Sequence, residues 1–281
     1  METGGVRMKL ALPLAPSKKQ YYINQAYINY VNEAGFVPIM VNPFNEMQEY
    51  ADMCDGLLLP GGIDIDPIFY GVDNKASYGV KPEQDDFDRK IYNAFLLAGK
   101  PIFGICRGFQ LLILEFLRTH KKAKWLDFRQ HINGHTLSND RETARDVPTH
   151  YVECAGRIYG VSENFNMPVN SMHHQCLVAN YNMEPKKKSS IIITARTRRG
   201  IDGAYTGKKA ILYKYYVVEG FEIIGQNSRI AGVQWHPEEL KDYRLLQTFF
   251  NEEEENAPNT VEVEAEGRVQ SIKTKAAENE G

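Results

Sequence analysis

The chain has 281 residues, 43% of them hydrophobic and 25% charged, with a formal net charge of −3; this supplies a sizeable core for one large domain or two small ones and gives no footing for nucleic-acid binding. No apolar run approaches the ~20 residues of a membrane-spanning helix, and the start METGGVRMKL lacks the apolar stretch of a secretory signal, so the expected compartment is the cytoplasm. Four cysteines, Cys54, Cys106, Cys154 and Cys176, form no CxxC pair, which argues against both a zinc site and a disulfide scaffold and predicts free thiols.

In chain order, the apolar run Lys9 to Leu14 is followed by Ile23, Ala26, Tyr27, Tyr30, Val31 and Ala34 at mostly helical spacing, and then by FVPIMV. Strand, helix and strand are predicted. The order repeats with DGLLLP (Asp55 to Pro60), a helix marked by Phe87, Ile91, Ala94, Phe95 and Ala98, and the strand PIFGI (Pro101 to Ile105) running directly into another helix. Unbroken apolar strands alternating with helices imply a parallel sheet covered on both faces. The segment Lys121 to Pro148 is polar, rich in His and Arg, and without periodicity. Beyond it, IIITART (Ile191 to Thr197), AILYKYYVVEGFEI and IAGVQW read as strands added antiparallel at the sheet edge, and a helix follows around Tyr243 to Phe250. The expected fold is an open three-layer α/β sandwich with a mostly parallel central sheet and antiparallel additions, spanning residues 1–250. The remaining stretch, 251–281, carries nine glutamates against three lysines or arginines and no aromatic residue, the composition of a disordered acidic tail. The Lys186 to Lys188 run reads as a solvated loop.

In such sheets, sites lie beyond the carboxyl ends of the strands. PIFGICRGFQ places Cys106 between Gly104 and Gly108 at a strand-to-helix junction, the pattern of a nucleophile elbow with sulfur in place of oxygen. A helix N-terminus there favours the thiolate; a buried structural cysteine is the alternative reading. In LLLPGGIDIDPIFYG, Gly61 and Gly62 follow another strand end, where bare backbone can aim N–H groups at a ligand or simply make a tight turn. Asp64 and Asp66 are read as caps of the turn that follows, not as metal ligands. GVQWHPEEL brings His236 and Glu238, a base and a carboxylate to orient it, from a third strand end. Tyr27 and Tyr30 are expected to face the core.

Taken together, PGG, GICRG and QWHPE in this order resemble the class I glutamine amidotransferase-like superfamily, whose sandwich is flavodoxin-like. GGIDIDPIFYG, KPEQDDFDRKI, GICRGFQ, NSMHHQ (Asn170 to Gln175), VVEGFE and GVQWHPE look like its γ-glutamyl-γ-aminobutyrate hydrolase branch. The resemblance implies a triad of Cys106, His236 and Glu238, oxyanion donors on the backbone of Gly62 and Arg107, and a glutamyl pocket involving Gly61, Gln110, His173 and Gln175. It implies no metal and no organic cofactor. The expected activity is hydrolysis of small γ-glutamyl amides through a glutamyl thioester, without nucleic acid or membrane as partner and with a homodimer left open. Two other readings stand beside it: a glutaminase subunit passing ammonia to a separate synthetase, and an inactive binding module. The chain departs from the branch after the nucleophile helix, where LEFLRTHKKAKWLDF replaces a Gly-Gly turn; Lys121 to Pro148 has no counterpart and is expected beside the pocket.

Overall fold

The computed structural model describes residues 6–120, 123–136, 144–185, 189–197, 215–224 and 227–251. Strand β1 (Lys9–Pro13) leads into a small hairpin, β2 (Ala15–Ser17) and β3 (Gln20–Tyr22), which no sequence pattern announced. Helix α1 (Gln25–Glu33) follows, its N-terminus closed by Asn24 Oδ1 accepting from the Ala26 N–H at 3.0 Å. Next come β4 (Val37–Val41), a short helix α2 (Met47–Met53), β5 (Gly56–Leu59), α3 (Pro82–Leu97), β6 (Ile102–Ile105) and α4 (Arg107–Thr119). The second half holds β7 (Leu126–Arg129), β8 (His150–Cys154), β9 (Phe165–Val169), β10 (Cys176–Asn180), β11 (Ile191–Thr197), β12 (Tyr215–Ile223) and β13 (Ile230–Val233). The short helix α5 (Pro237–Leu240) and α6 (Tyr243–Asn251) close the described chain.

One sheet of 11 strands runs in the order β4-β1-β5-β6-β13-β12-β11-β8-β9, with β10 paired to β12 and β7 to β10. Its first five strands are parallel, and β12 pairs antiparallel with β13, β11 and β10. The expected architecture is therefore present, antiparallel additions included. Alternation along the central strands divides the core between two faces. Ala11, Leu57 and Leu59 pack with α3 and α4 residues such as Ile91, Phe95, Phe109 and Leu112. Leu10, Leu12 and Leu58 pack on the other face with Tyr30 and Val31 of α1 and Leu245 and Phe249 of α6. Gly108 has a steric role in this packing: a Cβ there would stand 2.2 Å from the Leu59 carbonyl oxygen, so only glycine lets α4 approach β5 this closely.

The segment without periodicity contributes β7 to the sheet, through pairing with β10. Among the described residues no helix is long and apolar enough to cross a membrane. The Lys186 to Lys188 run, residues 210–214 of the expected long strand, and the acidic stretch 252–281 lie outside the described residues.

Candidate active site

Cys106 stands between β6 and α4 with φ 50° and ψ −101°, one of two non-glycine residues at positive φ among the described residues. A side chain tolerates this region at a cost of roughly 1–3 kcal/mol, which the surrounding packing must hold in place. The strain is what turns the chain sharply enough to project the thiol at the N-terminus of α4, as the Gly-x-Cys-x-Gly spacing suggested.

His236 and Glu238 arrive from the end of β13, where Pro237 opens α5. His236 Nδ1–H donates to Glu238 Oε1 at 2.6 Å, and both residues are buried. Cys106 also acts on the imidazole, by charge and by hydrogen bonding. Burial works against a charged imidazole here, but Glu238 first and Cys106 next outweigh it and hold the His236 pKa up to about 10. The remaining three thiols are of another kind. Burial pushes Cys54 up to about 11, Cys154 up to about 12 and Cys176 well above its ordinary value.

Asn170, in the NSMHHQ segment, clamps the backbone of His236 from both sides: its Oδ1 accepts the His236 N–H at 2.9 Å and its Nδ2–H donates to the His236 carbonyl at 3.0 Å. Tyr27 supplies a further support. It is buried, as its helical spacing predicted, yet its hydroxyl accepts from the Gly61 N–H at 2.9 Å and lies 3.3 Å from His236 Nδ1. Burial, then the charge on Glu238, holds that phenol protonated. Helical periodicity locates the ring but carries no signal for the hydroxyl.

Gly61 packs where no side chain fits, since a Cβ would lie 2.5 Å from the Tyr27 hydroxyl and 2.8 Å from His236 Cε1. Gly62 sits against Arg107, whose Cδ would be 3.0 Å from a Cβ at that glycine. The Arg107 side chain is turned away from solvent onto Asp85 and Asp88 of α3. Burial opposes its charge, but Asp88 and Asp85 outweigh this and hold its pKa above the ordinary value. The Arg107 side chain is thus committed to α3, while its backbone follows Cys106 at the first position of α4.

Of the expected pocket residues, Gln110 is buried and not a helix-surface glutamine: its Nε2–H donates to the Gln175 carbonyl at 3.0 Å and to Gln234 Oε1 at 3.1 Å. Gln175 shapes the wall. Its amide accepts from the Ile65 N–H at 3.1 Å and donates to the Ile65 carbonyl at 3.1 Å and to Ser77 Oγ at 2.7 Å, pinning the loop that carries Gly61 and Gly62. His173 lines the same cleft but directs its Nδ1–H to the Gln175 carbonyl at 2.9 Å. Asp66 caps the following 3-10 turn by accepting from the Ile68 N–H, as expected, whereas Asp64 does not: it accepts from the Tyr78 N–H at 2.9 Å and pairs with His174 Nε2 at 2.8 Å. Sequence spacing could not reveal that Asp64 faces across to a histidine 110 residues away.

Two clefts, about 260 and 220 Å³, share Gly62, Ile63 and Met172. One reaches Cys106 and Gln110 and is flanked by Tyr78, stacked on His174 at 4.5 Å. The other holds His236 with Tyr22, Asn24 and Arg145. Thr136 and Arg145 belong to the segment without a counterpart, which thus does border the site.

A cysteine on a strained strand-to-helix turn, facing a His-Glu pair across an open parallel sheet, defines an α/β protein of the class I glutamine amidotransferase-like kind. The Peptidase C26 family model matches residues 8–238, and the chain belongs to that family. It is 29% identical over 243 residues to YvdE of Lactococcus lactis, described as glutamine amidotransferase-like, covering 83% of this chain and 89% of that one. It is 27% identical over 243 residues to the γ-glutamyl-γ-aminobutyrate hydrolase PuuD of Escherichia coli, covering 81% and 83%. Among solved structures, a GMP synthase subunit from Thermoplasma acidophilum aligns with a TM-score of 0.51 at 15% identity, over 88% of this chain and 94% of that one; this likeness shows the fold.

Proposed function

We propose that the protein hydrolyses γ-glutamyl amide bonds with Cys106 as nucleophile, His236 as acid and base, and Glu238 as the group that orients His236. The observation that carries this reading is the strained Cys106 at the head of α4, beside an imidazole whose pKa is held up to about 10. A helix N-terminus and a protonated imidazole beside a thiol both favour attack through sulfur.

The sulfur attacks the γ-carbonyl carbon, forming the C–S bond as the carbonyl electron pair moves onto oxygen. The backbone N–H groups of Gly62 and Arg107 receive that oxyanion. Its collapse breaks the C–N bond while the imidazolium protonates the departing amine. Neutral His236 then takes a proton from water, whose oxygen attacks the thioester, releasing glutamate and restoring the thiolate. Gly61, Gln110, His173 and Gln175 form the wall on the glutamyl side. The cleft with Tyr22, Asn24 and Arg145, whose Nε is paired with Glu239 at 2.6 Å, takes the amine side, and γ-aminobutyrate is the leaving amine we assign to it. The name of the Escherichia coli relative supports that choice.

The test is release of glutamate and amine from γ-glutamyl-γ-aminobutyrate, γ-glutamylputrescine and glutamine by the purified chain alone, beside Cys106→Ala. Turnover of a γ-glutamyl amide that falls by roughly 10³-fold or more in the variant is the expected result. Silence on the two small amides with glutamine turnover appearing only beside a synthetase would replace this reading with that of a partner-dependent glutaminase.

A further inference from the structure

Beneath the wall of the cleft lies a second cluster of chemistry-bearing side chains; apart from His173, on the wall itself, the hydrolytic reading does not use them. His135, His150 and Glu219 come from a loop, the start of β8 and the middle of β12, and one donor atom of each lies within 4.8 Å of the other two. All three are buried. His135 Nδ1 is 3.4 Å and His150 Nε2 3.3 Å from Glu219 Oε1. His173 Nε2 stands alongside, 3.2 Å from His135 Nδ1 and 4.0 Å from Glu219 Oε1.

Three of these separations, 3.2, 3.3 and 3.4 Å, are close to those of a coordination sphere, and the fourth, 4.0 Å, is longer. Ligands bound to zinc at about 2.0–2.2 Å in tetrahedral geometry stand about 3.3–3.5 Å apart. Two further observations point the same way. His173 donates its Nδ1–H to the Gln175 carbonyl, which leaves a lone pair on Nε2 directed toward the cluster; a ligand histidine is held in this way by its other nitrogen. Glu219 Oε2 is fully buried without a hydrogen-bond partner, a costly arrangement for a carboxylate. Three polar atoms converge on His135 Nδ1, His173 Nε2 at 3.2 Å, Ser171 Oγ at 3.2 Å and Glu219 Oε1 at 3.4 Å, more than a single N–H there can serve.

We infer that His135, His150 and Glu219, with His173 at the fourth side, form a binding site for a divalent transition-metal ion of the zinc type. Imidazole with one carboxylate is a donor set suited to zinc, and burial with protein donors on all sides is the mark of a structural site, not of one holding an open catalytic position. The ion would tie β8 and β12 to the segment 170–175. Its mechanical effect reaches the triad through Asn170, three residues before His173, which grips the backbone of His236 on both sides. This departs from the metal-free expectation, and it depends on the opposite directions taken by the adjacent His173 and His174. The fold separates them, His174 toward Asp64 and His173 toward Glu219.

The experiment uses the full chain as Cys106→Ala, which removes the one thiol able to take zinc beside His236. Elemental analysis for zinc, copper, nickel, iron and manganese after purification without a metal-affinity step is expected to find close to one ion per chain. Stripping with dipicolinic acid should lower Tm, and added Zn²⁺ should restore it, a shift of at least about 3 °C. In the same background Glu219→Gln, isosteric and able to fold by hydrogen bonding, should reduce bound metal at least tenfold and abolish the Zn²⁺-dependent shift. Less than one ion per ten chains together with no Tm response to excess Zn²⁺ would overturn the inference, as would unchanged metal content in Glu219→Gln. The readouts do not depend on amide hydrolysis, so failure of one reading leaves the other standing.

Discussion

Cys106 differs from the other three cysteines in environment more than in exposure, since all four are buried. Cys54, Cys154 and Cys176 sit in apolar surroundings that raise their pKa, whereas Cys106 has a helix N-terminus and His236 beside it. Iodoacetamide at pH 6 should therefore alkylate Cys106 well before the others, read by peptide mass mapping; equal labelling of all four would remove the electrostatic argument for the nucleophile. His236 also sets a pH limit. The leaving amine needs the protonated imidazole, and this form is lost as pH rises through about 10. The profile of kcat/KM, which reports the free enzyme, should stay level through neutral pH and fall on an alkaline limb near 10. A limb near the ordinary histidine value would mean that Glu238 and Cys106 do not support the charge. The positions of Cys106, His236 and Glu238, the triad proposed here, are legible in the chain because each stands at or just past a strand end with glycine or proline beside it. The Tyr27 hydroxyl and the Asn170 clamp are not, because a hydrogen bond between residues 34 apart or more leaves no local pattern.

Among the elements, the junction of β5, β6 and α4 sets the site. Gly108 lets α4 lie against β5, and its N–H donates to the Pro60 carbonyl at 3.2 Å, joining the elbow to the Gly61–Gly62 turn. Gly108→Ala forces a methyl group onto the Leu59 carbonyl and should cost about 1–3 kcal/mol, measured as a lower urea midpoint with unchanged slope. Hydrolysis should fall as well, because relief of that clash moves the elbow away from Gly62. A variant with wild-type stability would show that the helix accommodates the methyl group freely. Apolar runs reveal β1, β5 and β6 directly, since a strand buried on both faces has no polar positions to blur it, and β4 shows the same kind of run although it lies at the sheet edge with only Val41 buried. Helix α2 has no such signature because only Tyr50 and Ala51 of its seven residues are buried. β7 is hidden for a similar reason: its residues read LDFR, with one buried position.

At the scale of the whole molecule, a three-layer sandwich gathers Cys106 from β6, His236 from β13 and Gly61 and Gly62 from β5 at the carboxyl ends of adjacent parallel strands, while β12 backs the wall from its antiparallel side. The alternation of strands and helices follows from the sequence periodicity; the convergence of residues 135, 150, 173 and 219 follows only from closure of the sheet, which is why the buried His-Glu cluster is invisible in the chain. Everything proposed for the amide chemistry depends on acyl transfer passing through sulfur at Cys106. Rapid acid quench of the wild-type protein during turnover of γ-glutamyl-γ-aminobutyrate, followed by intact-mass and peptide analysis, examines that step itself. A fraction of chains heavier by one glutamyl group is expected, located on the peptide holding Cys106 and absent from Cys106→Ala. Turnover that proceeds with no such adduct, and survives in Cys106→Ala, would refute a sulfur-bound intermediate.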